Sequence, residues 1–176
     1  MQINLEKGAA KNVIDLINAT NGSALTSAEI ALGQPAEWTD PEGINTRNTS
    51  LTVTAVPDSG YAGTVEVRYR RLDLASLASG KTLSYTKGDT STLQTLLESV
   101  ATQLGVVEEA VKLDVDAMPV VPEGDESVTI NIVSRTDSLL YVGMAPVTVY
   151  PMPPVDINVN DEITTQDLDG FDEPVA

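Results

Sequence analysis

The chain has 176 residues and a formal net charge of -16, from 10 basic and 26 acidic side chains. Cysteine and histidine are both absent, which removes disulfides, thiol nucleophiles, thiolate and imidazole metal sites, and the usual general base near neutral pH. So negative a chain repels phosphate backbones and anionic lipid surfaces, and no run approaches the ~20 apolar residues of a bilayer span, so neither a nucleic-acid nor a membrane partner is expected.

The start, Met1 to Lys7, lacks the charged opening and apolar run of a secretory signal, which predicts synthesis in a cytoplasm. Next, Val13, Ile14, Leu16 and Ile17 fall on one side of a helix, with Lys11, Asn12, Asp15 and Asn18 between them. Asn21-Gly22 is a helix stop, because both residues tolerate positive φ. Thr26 and Glu29 form a Ser/Thr-to-Glu cap for a short turn before Ile30 and Leu32. Residues 33–48, rich in Gly, Pro and Asn, predict a long loop.

Period-two alternation then predicts strands over 50–56 and 63–71, joined as an antiparallel hairpin around Pro57-Asp58-Ser59-Gly60. Residues 72–83 are ambiguous between a loop and a short strand or turn. Leu93, Leu96, Leu97, Val100, Ala101 and Leu104 form an apolar stripe that predicts a helix over about 90–104, with Leu97 at its middle and Gly105 as its stop. Residues 107–113 predict a second short helix with Glu108 and Glu109 near its own N-terminus. Alternation over 128–134 and an apolar run over 139–149, broken near Gly143 and Pro146, predict a second hairpin around Arg135-Thr136-Asp137-Ser138.

The order helix, hairpin, helix, hairpin argues for an α+β domain over 1–150 with an antiparallel or mixed sheet. Residues 151–176 are Pro-rich and then acidic, with seven carboxylates and no basic residue beyond Val155, which predicts an extended tail.

Several blocks in fixed order carry a resemblance. They are Lys11-Asn12-Val13-Ile14-Asp15-Leu16-Ile17-Asn18-Ala19-Thr20-Asn21-Gly22, then Leu25-Thr26 and Leu32-Gly33. Gly43-Ile44-Asn45-Thr46-Arg47-Asn48-Thr49 follows, leading into Leu51-Thr52-Val53-Thr54-Ala55, and then Gly60-Tyr61-Ala62-Gly63-Thr64-Val65-Glu66-Val67-Arg68-Tyr69-Arg70-Arg71-Leu72-Asp73-Leu74. Over residues 10–150, and most closely over 12–74, the chain resembles a small α+β domain of virion structural proteins from large tailed bacteriophages. The tail after 155 departs from that pattern. The resemblance implies a non-catalytic accessory or decoration component, or else a neck, tail or baseplate component, binding other virion proteins and copies of itself. Its location would be the virion, made and assembled in the host bacterial cytoplasm, with no catalytic residues carried over. No cofactor or small-molecule substrate is expected, and the missing His and Cys ligands predict folding without a metal. Two readings of another class stand beside it. An adhesive ligand-binding module would carry more exposed aromatics than the 4% present, and a carboxylate-based hydrolase would need a pocket holding a shifted carboxylate.

Three features are candidate interaction sites, and two further ones are weighed as catalytic or metal sites. Arg68, Arg70 and Arg71 form the one dense basic cluster, either a patch for an acidic neighbour or simply the wet face of a strand. Trp38, the sole tryptophan, is either an interface anchor or a core plug. In the tail, Val155, Ile157, Val159, Ile163, Leu168 and Phe171 are spaced as apolar anchors among carboxylates, so that one edge of 155–159 is apolar and the other polar. Asp114 and Asp116 are a carboxylate pair better explained by solvation, and the faint calcium-loop echo over 156–167 has Asp161 where glycine is needed.

Overall fold

The computed structural model describes residues 1–122 and 125–152. In chain order its elements are α1 (Ala9–Asn21), β1 (Ile30–Leu32), β2 (Ala36–Glu37), β3 (Thr49–Ala55), β4 (Thr64–Tyr69), β5 (Leu72–Asp73), α2 (Leu74–Ala78), β6 (Ser84–Thr86), α3 (Leu93–Leu104), β7 (Val111–Leu113), β8 (Val128–Ser134), β9 (Tyr141–Val142) and β10 (Met144–Tyr150). The fold is α+β, with more and shorter strands than an alternation of helices and hairpins contains. The tail from 153 onward lies outside the described residues.

Three sheets share the strands. β3 pairs antiparallel with β4 on one side, and with β1 and β2 end to end on the other. The second sheet runs β6-β10-β8-β7 and is mixed, since β10 is parallel to β6 and antiparallel to β8. β5 and β9 form a short parallel pair. Both expected hairpin pairings are present, as β3 with β4 and β8 with β10.

Local chemistry explains the boundaries. α1 stops at Gly22, which takes φ 65. Its first N–H groups lack a side-chain cap from their own segment, and instead Ala9 N–H donates to the Glu109 carboxylate at 2.6 Å. Glu109 therefore serves a helix 100 positions away, not the short helix expected over 107–113. That stretch is a single 3-10 turn, Glu108–Ala110, followed by β7, because Val111 and Leu113 alternate into the core while Lys112 points out.

α3 begins at Leu93, the first residue of its stripe, and later than the expected start near 90. Thr92 and Thr95 form a reciprocal cap, with Thr95 N–H donating to Thr92 Oγ1 at 3.2 Å and Thr92 N–H to Thr95 Oγ1 at 3.0 Å. Near the start, Thr26 and Glu29 bond as their spacing predicts, with Thr26 N–H donating to Glu29 Oε2 at 2.6 Å. The expected 33–48 loop contains β2, and the ambiguous 72–83 resolves into β5 and α2.

Gly143 breaks the last strand region as expected. It holds φ 77, and a Cβ there would meet Asp73 Oδ1 at 2.5 Å. Pro146 does not break it. Ser134 N–H donates to Gly143 C=O, and the alternating ladder then directs position 146 away from β8, beyond the end of β6. Among the described strand pairings, the missing N–H therefore forfeits no ladder bond.

The main core gathers α3 and the second sheet. Leu96, Val100, Ala101 and Leu104 pack in one buried cluster with Ile130, Ile132, Val147 and Val149. A smaller cluster of Ile14, Ile30 and Val53 lies between α1 and the first sheet.

Candidate interaction site

The basic cluster is split by the fold. Arg68 and Arg70 are exposed, whereas Arg71 is 6% exposed. The wet-face reading therefore fits two of the three arginines. Arg71 Nε donates to Thr49 Oγ1 at 2.8 Å and its Nη1 to the Ser138 carbonyl at 3.0 Å. Its backbone pairs with Asn48 in both directions, Arg71 N–H to Asn48 Oδ1 at 2.8 Å and Asn48 Nδ2 to Arg71 C=O at 2.9 Å. Arg71 thus joins the end of the first sheet to the loop before β9, and it is a structural residue.

Arg68 lies on the outer face of the first sheet. Its guanidinium reaches Glu66, with Nη2 2.9 Å from the carboxylate, and it also sits over the Trp38 ring, 4.8 Å from the centroid. The tryptophan belongs to neither core cluster. It is half-buried beneath Arg68 at the end of β2, which corrects the core-plug reading.

On the inner side of the same sheet an open trough runs between α1 and β4. One part, of about 710 Å³, is lined by Leu16 and Ile17 of α1 and by Glu66, Val67, Arg68 and Arg70, with Arg47 at its rim. A second part, of about 510 Å³, continues past Arg70 and Tyr69 to Leu140 and Tyr141. A third, of about 530 Å³, extends the other way past Ile17 and Val67 to Val65. Val65 is 57% exposed although its alternation marks it for the core. The N-terminal segment closes one flank, held by buried Asn12, whose Oδ1 accepts from Asn4 N–H at 2.8 Å and whose Nδ2 donates to Asn4 C=O at 3.0 Å.

Tyr69 forms part of the floor, and its hydroxyl donates to the Leu139 carbonyl at 2.9 Å. Burial pushes that phenol up to about 12, opposed by the charge of Arg71.

Three carboxylates are tied into local structure. Asp114 accepts from Asn131 backbone N–H at 2.8 Å and from Asn131 Nδ2 at 2.7 Å, and these bonds hold it below the ordinary carboxylate range. Asp116 does not share that bonding. Asp40 gathers the backbone N–H groups of Ile44 and Asn45 within its loop, and the Asn45 bond leads in lowering it. Asp73 is lowered chiefly by the Ser76 hydroxyl as it caps α2. Among the described residues no three carboxylates cluster as a metal site, and no helix is long and apolar enough to cross a membrane. The tail anchors Val155, Ile157, Val159, Ile163, Leu168 and Phe171, like the calcium-loop echo, lie outside the described residues.

A family model matches residues 3–176. The chain belongs to DUF7941, a family of unknown function. The DUF7941 match runs through the acidic tail, so the tail lies within the family's extent and is no private addition of this chain. No curated protein and no solved structure matches this DUF7941 chain.

Proposed function

We propose that this chain is a non-catalytic structural component of a tailed-phage virion, an accessory or decoration protein that binds neighbouring virion subunits and copies of itself. The observation that carries the binding half of this reading is the trough. It is apolar along its walls, open to solvent, and rimmed by Arg47, Arg68 and Arg70 in a chain whose net charge is -16. Surfaces of this composition, apolar within and charged at the rim, suit protein partners. The virion half rests on the sequence blocks over 12–74.

The carboxylate bonding favours this reading over a hydrolase. Asp40, Asp73 and Asp114 accept bonds that favour the ionised form, whereas a general acid needs its proton held near neutral pH. The domain 1–150 would be the folded body and 151–176 the assembly arm.

The test is composition of purified particles. Quantitative mass spectrometry on gradient-purified virions, separated into heads and tails, is expected to find the chain in many copies in the head fraction. Recovery only with tails would move it to the neck, tail or baseplate. Its absence from washed particles would end the virion reading.

A further inference from the structure

The free edge of β4 names a receptor for the tail, an inference that rests on the assembly reading above. β4 is the outer strand of its sheet and pairs only with β3 among the described residues. Backbone bonding fixes which groups it leaves open. On the β1–β2 side of β3, Gly33 N–H donates to Thr52 C=O at 2.8 Å and Trp38 N–H to Asn48 C=O at 3.0 Å. On the β4 side, Ala55 N–H donates to Gly63 C=O at 3.0 Å. Bonding sides alternate along an antiparallel strand, so Leu51 and Val53 bond to Val67 and Val65. The N–H and C=O groups of Glu66 and Arg68 then point away from β3, along the trough. Consecutive residues of both side-chain parities, Glu66 through Arg70, line it. The trough thus follows the strand's edge, and an edge with unmet backbone groups is a template on which a further strand can add.

We propose that the segment 155–159 of a second copy adds to this edge as a further strand. Val155, Ile157 and Val159 would face Ile17 and Val67 on the α1 side. Asp156 would lie on the other face with Arg68, and Asp161 and Glu162 would follow near the remaining rim arginines. The charges match. Three of the chain's 10 basic side chains stand at this trough, with Glu66 as the carboxylate among its lining residues, and the tail carries seven acidic groups without a cation.

Geometry favours a second copy over the chain's own tail. The trough reaches Tyr141 at the start of the β9–β10 region, and β10 carries the chain roughly 20 Å along its length to Tyr150. There it leaves among Lys87, Met118 and Val120, which share no lining residue with the trough. At full stretch Val155 lies at most roughly 17 Å from Tyr150, less than the roughly 20 Å that β10 itself spans.

The absence of cysteine allows a direct test with full-length protein. One chain carries Val65→Cys, an exposed position on the apolar face of β4, and the other carries Ile157→Cys. Under mild oxidation with glutathione, the mixed disulfide dimer is expected at least about tenfold faster than for Ile157→Cys mixed with Lys112→Cys, an exposed position on β7. Arg68→Pro in the Val65→Cys chain should abolish that preference while circular dichroism stays native, because its N–H makes no ladder bond. Arg70→Glu, which leaves the backbone unchanged, should slow the reaction several-fold, and more so at low salt than high.

Equal rates at positions 65 and 112 would overturn the proposal. So would a disulfide that forms only within one chain carrying both Val65→Cys and Ile157→Cys. If the chain is abundant in particles but cross-linking shows no preference, the receptor assignment fails and the virion reading stands. If cross-linking is selective but particles lack the chain, the receptor stands and the virion reading fails.

Discussion

Arg71 is a cation held by neutral oxygens. Its two bonds, to Thr49 Oγ1 and the Ser138 carbonyl, satisfy groups that are themselves buried, since Thr49 is 0% and Ser138 3% exposed. A planar fork can reach two acceptors lying in different directions, and a single ammonium cannot reach both with equal geometry. Arg71→Lys is therefore expected to cost about 1–3 kcal/mol, and Arg71→Ala more, through the stranded acceptors. Urea unfolding measures both. Equal stability of the lysine variant would mean that the fork geometry is irrelevant. The sequence could not separate Arg71 from Arg68 and Arg70. Alternation holds only while the chain stays in β4, and the strand ends at Tyr69, so parity no longer predicts the facing of Arg71. The reciprocal Asn48 bonds that redirect the chain leave no local pattern.

At the scale of elements, α3 shows both the strength and the limit of periodicity. Its stripe and its Gly105 stop predict the helix, but not which leucine is central. Leu96 is 0% exposed in the main cluster, whereas Leu97 is only partly buried at its flank. The expectation that Leu97 lies at the centre is off by one position, an angle of about 100° on a helix. Leu96→Ala is accordingly expected to cost about 2–5 kcal/mol, and Leu97→Ala clearly less. Thermal or urea melts of the two variants decide the order, and a reversed order would refute this packing. The long strands β3, β4, β8 and β10 were legible because each covers at least three alternations or turn signals. β1, β2, β5, β6 and β7 span only two or three residues, too few for a period to register, and they exist because neighbours pair with them. The trough had a partial signal in Val65, which alternates with the core but is left uncovered at an open edge.

For the whole molecule, the carboxylates set how stability responds to pH below neutrality. No histidine is present, so stability is expected to be flat across neutral pH. Asp15, Asp40, Asp73 and Asp114 are all lowered from 3.8 by their bonds: Asp15 chiefly by Lys11, Asp40 by the Asn45 backbone, Asp73 by the Ser76 hydroxyl and Asp114 by the Asn131 backbone. A depressed folded value stabilises above the unfolded value, and that stabilisation is lost as pH falls through the folded one. Urea midpoints should therefore hold down to about pH 5 and decline below about pH 4. Asp114→Asn should melt earlier at neutral pH and converge with the parent at low pH. A midpoint for the parent that is unchanged at about pH 3 would contradict the assignment.

The placement of β10 also has a mechanical consequence. It lies between β6 and β8, so the chain that continues beyond Tyr150 is anchored in the interior of its sheet. A pull along β10 from that end would load the ladders on both flanks in shear, and their hydrogen bonds would have to yield together instead of peeling one by one. An arm gripped by a neighbour would then transmit tension straight into the middle of the second sheet.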